Sequence, residues 1–179
     1  LILSPVEEKL AAGNLAQNDK ITFQSIKRGA NRLLELINQV LELSKLESGF
    51  MKMNRQPGNL YSFIMPVLSA FDSMADVGQV KYTKEVRIPE YLLLFDGDKI
   101  EKIVSNLLSN AFKFTPKTGR VDVKVVAIEK EKSISLSIII RNTGSVILPT
   151  TLDKIFEPFF QGDNKPAQGI PGTGLGLSL

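Results

Sequence analysis

One apolar seam limits what this chain can fold into more than any other feature. Ile26, Ala30, Leu33, Ile37 and Val40 fall alternately four and three residues apart, a spacing that lines them up along one stripe of an α-helix. The stripe predicts a continuous helix over about residues 21–47. A helix of that length with one apolar face must bury that face against a partner. Either a first helix of the same chain or a helix of a second copy would serve. Upstream, Ser4-Pro5-Val6-Glu7 reads as a helix start, with serine as cap, proline in the first turn and glutamate three beyond the cap. A helix already running from further upstream and kinked at Pro5 is the alternative. The stretch "AAGNLAQND" (11–19) reads as the connection, so the first 49 residues predict a helical hairpin.

Beyond Ser48-Gly49 the apolar period changes. "NRQPGN" (54–59) carries turn chemistry, and about residues 60–76 read as a helix despite Pro66. "VKYTKEV" (80–86) and "YLLLF" (91–95) read as strands, and residues 98–114 as a helix. "RVDVKVVAIE" (120–129) and "SISLSIIIR" (133–141) alternate as strands do, and a charged turn joins them, which predicts an antiparallel hairpin. The remaining tail is poor in helix. A helical hairpin over residues 1–49 followed by an α+β domain over residues 50–179 is the expected organisation.

Composition removes whole function classes. The 179 residues include no cysteine and no histidine, so disulfides and thiolate metal sites are excluded, and histidine-based triads and zinc hydrolases lose their usual parts. A net charge of +3 is too small to argue for nucleic acid or an anionic membrane as partner. No run approaches 18 apolar residues and no signal peptide is visible. The chain opens in apolar residues without an initiator Met and reads as a piece of a longer protein.

The chemistry gathers on "SNLLSNAFKFTP" (105–116). At about 100° per residue, Ile100, Ile103, Val104, Leu107, Leu108 and Ala111 share one side of this helix. Lys99, Lys102, Asn106, Ser109, Asn110 and Lys113 share the other. A solvated face accounts for that stripe at a cost of only a few tenths of a kcal/mol per asparagine. A face turned to a ligand accounts for it too, since amide oxygens suit Mg²⁺ and a lysine neutralises phosphate. The tail favours the ligand. In "GTGLGL" (172–177) glycines alternate, which lets backbone N–H groups approach an anion closely. "NTG" (142–144) is a second tight turn, and "IFEPFF" (155–160) is an aromatic cluster of the kind more often found in a core.

In this order, "NLLSNAFKFTP", "NTG", "IFEPFFQ" and "GTGLGLSL" resemble the four boxes of the ATP-binding domain of sensor histidine kinases, within the wider GHKL group. "RLLELINQVLELSKLESG" (32–49) is similar to the second helix of their dimerisation and phosphoacceptor hairpin. "LILSPVEE" resembles the stretch just after the phosphorylated histidine in hybrid two-component sensors. The resemblance implies a two-layer α/β sandwich of the Bergerat type, with ATP and Mg²⁺ as cofactors. Asn110 would coordinate the metal, and Asn106 would help to hold ion or phosphates. Lys113 would contact the phosphates, Phe114 would lie near the adenine, and Ile147 would join the nucleotide-binding set. Asn142 stands where the family has an aspartate reading the adenine amino group, and Gly144 lets the purine approach. Residues 161–171 would form a lid with Lys165 as a phosphate contact. Gly172, Thr173, Gly174, Leu175 and Gly176 would shape the phosphate end.

Two departures qualify what is implied. The first glycine box reads Asn142-Thr143-Gly144-Ser145-Val146 where the family has Asp-x-Gly-x-Gly. The phosphoacceptor histidine and its acidic neighbour are absent, so the chain is expected to hold ATP–Mg²⁺ without phosphorylating itself. The resemblance further implies a homodimer through the hairpin, a response regulator receiver domain as partner, and the cytoplasmic portion of an inner-membrane sensor. A degenerate module that dimerises without catalysis, or another ATPase of the GHKL group, is the alternative. In the latter, a glutamate on the asparagine helix would activate water. Glu101 is on that helix but precedes the first asparagine and sits toward a different side.

Overall fold

The computed structural model describes residues 3–11, 16–131, 133–162 and 172–179. The chain divides into two compact units, one running up to Met51 and the other spanning Lys52–Ser178. The first unit is a pair of helices, α1 (Leu3–Ala11) and α2 (Gln17–Glu47). The helix is already running at Leu3, so Ser4 is not its cap. Pro5 still falls in the first turn, where its missing N–H has no intrahelical partner to lose. α2 begins four residues earlier than its apolar period indicates. Asn18 and Asp19, which read as breakers, lie in its first turn, where an acidic side chain meets the positive end of the helix. Thr22 Oγ1 donates to the Asn18 carbonyl at 2.9 Å. Val6 of α1 and Leu43 of α2 are buried, and Lys27 pairs with Glu7 at 2.8 Å. The seam residues Ile26, Leu33, Ile37 and Val40 remain exposed within this chain.

The second unit opens with β1 (Gln56–Gly58), which pairs antiparallel with β3 (Leu93–Phe95). The turn residues around Pro57 therefore include a strand. A two-stranded ribbon is all edge, and a proline is tolerated there. Asn59 caps α3 (Leu60–Ser69), accepting from the Ser62 N–H at 2.9 Å. Where one helix to about residue 76 was expected, the chain makes two. α3 closes on a tight turn, in which Phe71 N–H donates to the Leu68 carbonyl at 3.3 Å. α4 (Asp72–Gly78) follows and ends at Gln79 in the left-handed region. Splitting the helix in this way buries Ile64 and Leu68 on one segment and Ala75 on the other.

β2 (Lys81–Arg87), β4 (Arg120–Lys130) and β5 (Ser133–Asn142) form a sheet in the order β2-β4-β5. β2 runs parallel to β4, and β4 antiparallel to β5. A parallel pair needs a crossover, and the chain supplies it through β3 and α5 (Gly97–Phe114). Alternation places Val121, Val123 and Val125 of β4 on one face, where they pack with Val104, Leu108, Ala111 and Phe112 of α5 and Ile64 and Leu68 of α3. Leu136, Ile138 and Ile140 of β5 extend that face. The result is a helical layer on one side of an α+β sheet. The other side is polar. There Thr83 bonds Asp122, Arg120 pairs with Asp122 at 2.6 Å, and Lys124 reaches Glu85 at 3.2 Å. The Thr83 hydroxyl and then the Arg120 guanidinium hold the Asp122 carboxyl below its usual value. Tyr82, on the helical side, stacks edge-on against Phe112 and donates to the Leu68 carbonyl at 3.1 Å. Burial pushes its phenol up.

Asp96 fixes where α5 begins. Its carboxylate accepts from the Asn54 N–H at 2.7 Å and, as the N-cap, from the Lys99 N–H at 3.2 Å. Only 5% of the residue is exposed. The Asn54 bond is the main cause of a carboxyl held below its ordinary value, with Lys99 adding to it. Such a group stabilises the fold above the unfolded carboxyl pKa of about 3.9, and its contribution is lost as pH falls through the lower folded value. Asp96→Asn keeps one acceptor oxygen and removes the titration. Its urea-unfolding stability is therefore expected to fall less steeply than wild type below about pH 4, and an identical acid limb would refute this role.

Candidate functional site

The buried stripe of α5 determines its exposed one. Val104, Leu108, Ala111 and Phe112 face the core, so at about 100° per residue Asn106, Asn110 and Lys113 must cluster on the opposite flank. All three are half-buried rather than washed by solvent. Ile103, expected on the core side, is 49% exposed. It lies one step, about 100°, round from Val104, which carries it to the edge of the polar stripe. Directly after Lys113 and Phe114 the helix stops. Thr115 leaves the helical region ahead of Pro116, and its buried hydroxyl donates to the Ala111 carbonyl at 2.6 Å.

Two turns close on this helix end. The turn after β5 holds Asn142, Thr143 and Gly144. Thr143 ties it to the start of β4, accepting from the Arg120 N–H at 2.8 Å and donating its own N–H to the Arg120 carbonyl at 2.9 Å. Gly144 packs against the Phe114 carbonyl oxygen so tightly that a Cβ would fall inside that atom's van der Waals shell. Asn142 and Ile147 are exposed.

The C-terminal glycine run lies along the polar stripe of α5. A Cβ on Gly172 would sit 2.5 Å from the Lys113 ammonium, and one on Gly176 would sit 3.7 Å from the Asn106 amide. The Lys113 ammonium also stands 5.2 Å from the centre of the Phe114 ring. Leu175 between them is fully buried, and its N–H donates to Thr173 Oγ1 at 3.3 Å. Gly174 has φ +77°, and a Cβ there would meet the Phe159 backbone at 2.6 Å.

Several residues that carry this arrangement lie in the quoted boxes but had no individual role assigned from the sequence. Phe159 N–H donates to the Gly174 carbonyl at 2.9 Å, and the Gln161 amide donates to the Gly172 carbonyl at 3.0 Å. These bonds tie the glycine run to the segment around Phe159. The aromatic cluster is not core, since Phe156 and Phe159 are 62% and 59% exposed. Thr143 and Asp96 were missed as well. Asp96 could have been found, because an aspartate one residue ahead of a helical run is a cap signal. Lys165 lies outside the described residues. Among the described residues no three histidine, cysteine, aspartate or glutamate side chains come together as a metal site.

Known proteins resemble both the sequence and the fold. Residues 95–179 match the family described as histidine kinase-, DNA gyrase B-, and HSP90-like ATPase. Hybrid signal transduction histidine kinase D of Dictyostelium discoideum is 31% identical over 180 residues, which is 100% of this chain and 12% of that protein. Sensor histidine kinase GacS of Pseudomonas protegens is 31% identical over 185 residues, covering 99% of this chain and 20% of its own length. This chain therefore spans a small part of these relatives. The crystal structure of full-length ShkA in complex with AMPPNP superposes with a TM-score of 0.80 at 23% identity, over 99% of this chain and 35% of that one, which shows the shared fold.

The packing of Gly144 allows a direct check. Gly144→Ala must push the turn away from the end of α5 and is expected to cost about 1–3 kcal/mol in urea unfolding. Gly162→Ala, with nothing within 4 Å, should change stability by less than about 0.5 kcal/mol. Equal effects would contradict the contact.

Proposed function

We propose that the second unit, whose residues 95–179 match the family described as histidine kinase-, DNA gyrase B-, and HSP90-like ATPase, binds ATP with Mg²⁺. In the intact protein it would serve transfer of the γ-phosphoryl to a histidine. One observation carries the reading: the glycine run lies beside the Lys113 ammonium at Gly172 and the Asn106 amide at Gly176, bringing backbone next to both side chains. Backbone N–H groups and a lysine are suitable partners for phosphate oxygens. Phosphoryl transfer rests on positioning and charge neutralisation rather than covalent chemistry by the protein.

The residues fit this cofactor pair. Mg²⁺ keeps several waters and takes substrate phosphates as ligands, so a neutral amide with no carboxylate cluster beside it is an adequate protein contribution. Asn110 supplies that amide, and Asn106 holds the adjoining phosphate or ion-bound water. When bound, the metal would neutralise charge developing between the β- and γ-phosphates. Lys113 contacts the phosphates, and Gly172, Thr173, Gly174, Leu175 and Gly176 present the backbone to them. Lys165 is the phosphate contact proposed for the lid. Phe114, Gly144 and Ile147 bound the purine, which Asn142 reads at its edge.

The chain has no histidine, so the acceptor lies outside these residues, and relay onward to an aspartate of a response regulator receiver domain follows. Residues 1–49 would be part of a dimerisation and phosphotransfer hairpin. Two copies would join through Ile26, Leu33, Ile37 and Val40 into a four-helix bundle. The reading assigns the chain to the cytoplasmic part of a membrane sensor, and among the described residues no helix is long and apolar enough to cross a membrane.

Two measurements test these assignments. Calorimetric titration with ATP is expected to show binding that strengthens with Mg²⁺. Asn110→Ala should lose about tenfold or more of that Mg²⁺-dependent gain, and a variant that responds to Mg²⁺ as wild type does would remove Asn110 as the metal residue. Light scattering is expected to give a dimer mass that Ile37→Asp converts to a monomer, and a monomeric wild type would refute the interface.

A further inference from the structure

We propose that Asn142 makes the purine pocket accept a 6-oxopurine triphosphate as well as ATP. The inference rests on the nucleotide reading above and deepens it by naming the substrate class. A carboxylate at this position offers two acceptors and no donor, whereas a carboxamide offers one of each. The exposed edge of adenine presents an N6–H donor beside the N1 acceptor. The same edge of hypoxanthine or guanine presents the reverse, an O6 acceptor beside an N1–H donor. Asn142 matches adenine with Oδ1 toward N6 and Nδ2 toward N1. A half-turn about its last side-chain bond matches the 6-oxo edge equally well, with Nδ2 toward O6 and Oδ1 toward N1–H.

That half-turn is available in this structure. Asn142 is the last residue of β5, and its backbone is held in register opposite Val121. Its side chain is exposed, with Nδ2 3.5 Å from where a Gly144 Cβ would stand, and no hydrogen bond among the described residues fixes either amide orientation. The turn beneath is tied by Thr143 to Arg120 and packed through Gly144 on the Phe114 carbonyl. The edge reader thus stands on a tied turn, with an exposed amide whose Nδ2 lies over Gly144 and which no hydrogen bond among the described residues holds. An aspartate on the same platform would repel O6 with either oxygen and leave it unpaired, the kind of mismatch by which polar sites reject an analogue strongly.

Calorimetric titration of the chain with ATP and with ITP, each with Mg²⁺, tests the proposal without any variant. ITP carries the 6-oxo edge without guanine's 2-amino group. The two dissociation constants are expected to lie within about tenfold of each other, the scale of a single hydrogen bond. In Asn142→Asp the preference for ATP over ITP should widen by at least about tenfold. ATP binding with ITP more than tenfold weaker in wild type overturns the proposal alone. So does a variant with an unchanged ratio. Binding of neither nucleotide overturns both this proposal and the nucleotide reading beneath it.

Discussion

The second unit hangs on the contact between one stripe of α5 and the valines of β4. Val104, Leu108 and Phe112 are at most 1% exposed, as are Val121 and Val125, and each such side chain contributes roughly 1.5–3 kcal/mol on burial. An asparagine inside a helix costs only about half a kcal/mol against alanine. The apolar contact therefore decides how α5 is rotated, and Asn106, Asn110 and Lys113 are carried to the other side whatever their own preference. Caps at both ends limit sliding. Asp96 holds the first turn, and Thr115 ends the last one beside Phe114. A polar stripe set by core packing does not depend on a ligand to form, and that is the preorganisation a binding face needs.

Much of this was legible in the sequence, and the parts that were not share a cause. The α5 stripe and the alternation of β4 and β5 are repeated local patterns, and the structure follows them closely. β1 was hidden because three residues around a proline carry no period. The division of α3 from α4 follows from how Ile64, Leu68 and Ala75 meet the sheet, which is a tertiary fact. Ile103 was misplaced because the burial stripe is centred nearer Phe112 than its neighbours in sequence imply. Phe156 and Phe159 read as core from composition, yet their backbone is what matters, since Phe159 anchors Gly174. The site was readable as a set of motifs. The bonds between those motifs, Phe159 to Gly174 and Gln161 to Gly172, pair backbone and amide groups across a stretch of chain, and no local pattern specifies which residues pair.

The two faces of the three-stranded sheet are held by different physics. Apolar burial dominates the helical side. The ion pairs on the other side are substantially exposed, and such pairs contribute about 0–1 kcal/mol each. Arg120, Asp122, Lys124 and Glu85 keep that surface wet more than they hold it together.

The order β2-β4-β5 has a consequence for how safely this chain folds. β5 lies at a rim of the sheet, and from Ser133 to Ile140 it carries no charge, no proline and no glycine. Its partner β4 has Asp122 and Lys124 to discourage wrong pairing, and the opposite rim, β2, has Lys81, Lys84 and Arg87. Segments like β5 add readily to copies of themselves. In the native state its apolar face is sheltered by the helical layer, so the hazard belongs to the interval before α5 docks. Yield on refolding is then a contest between a step within one molecule and a step between two, and dilution favours the first.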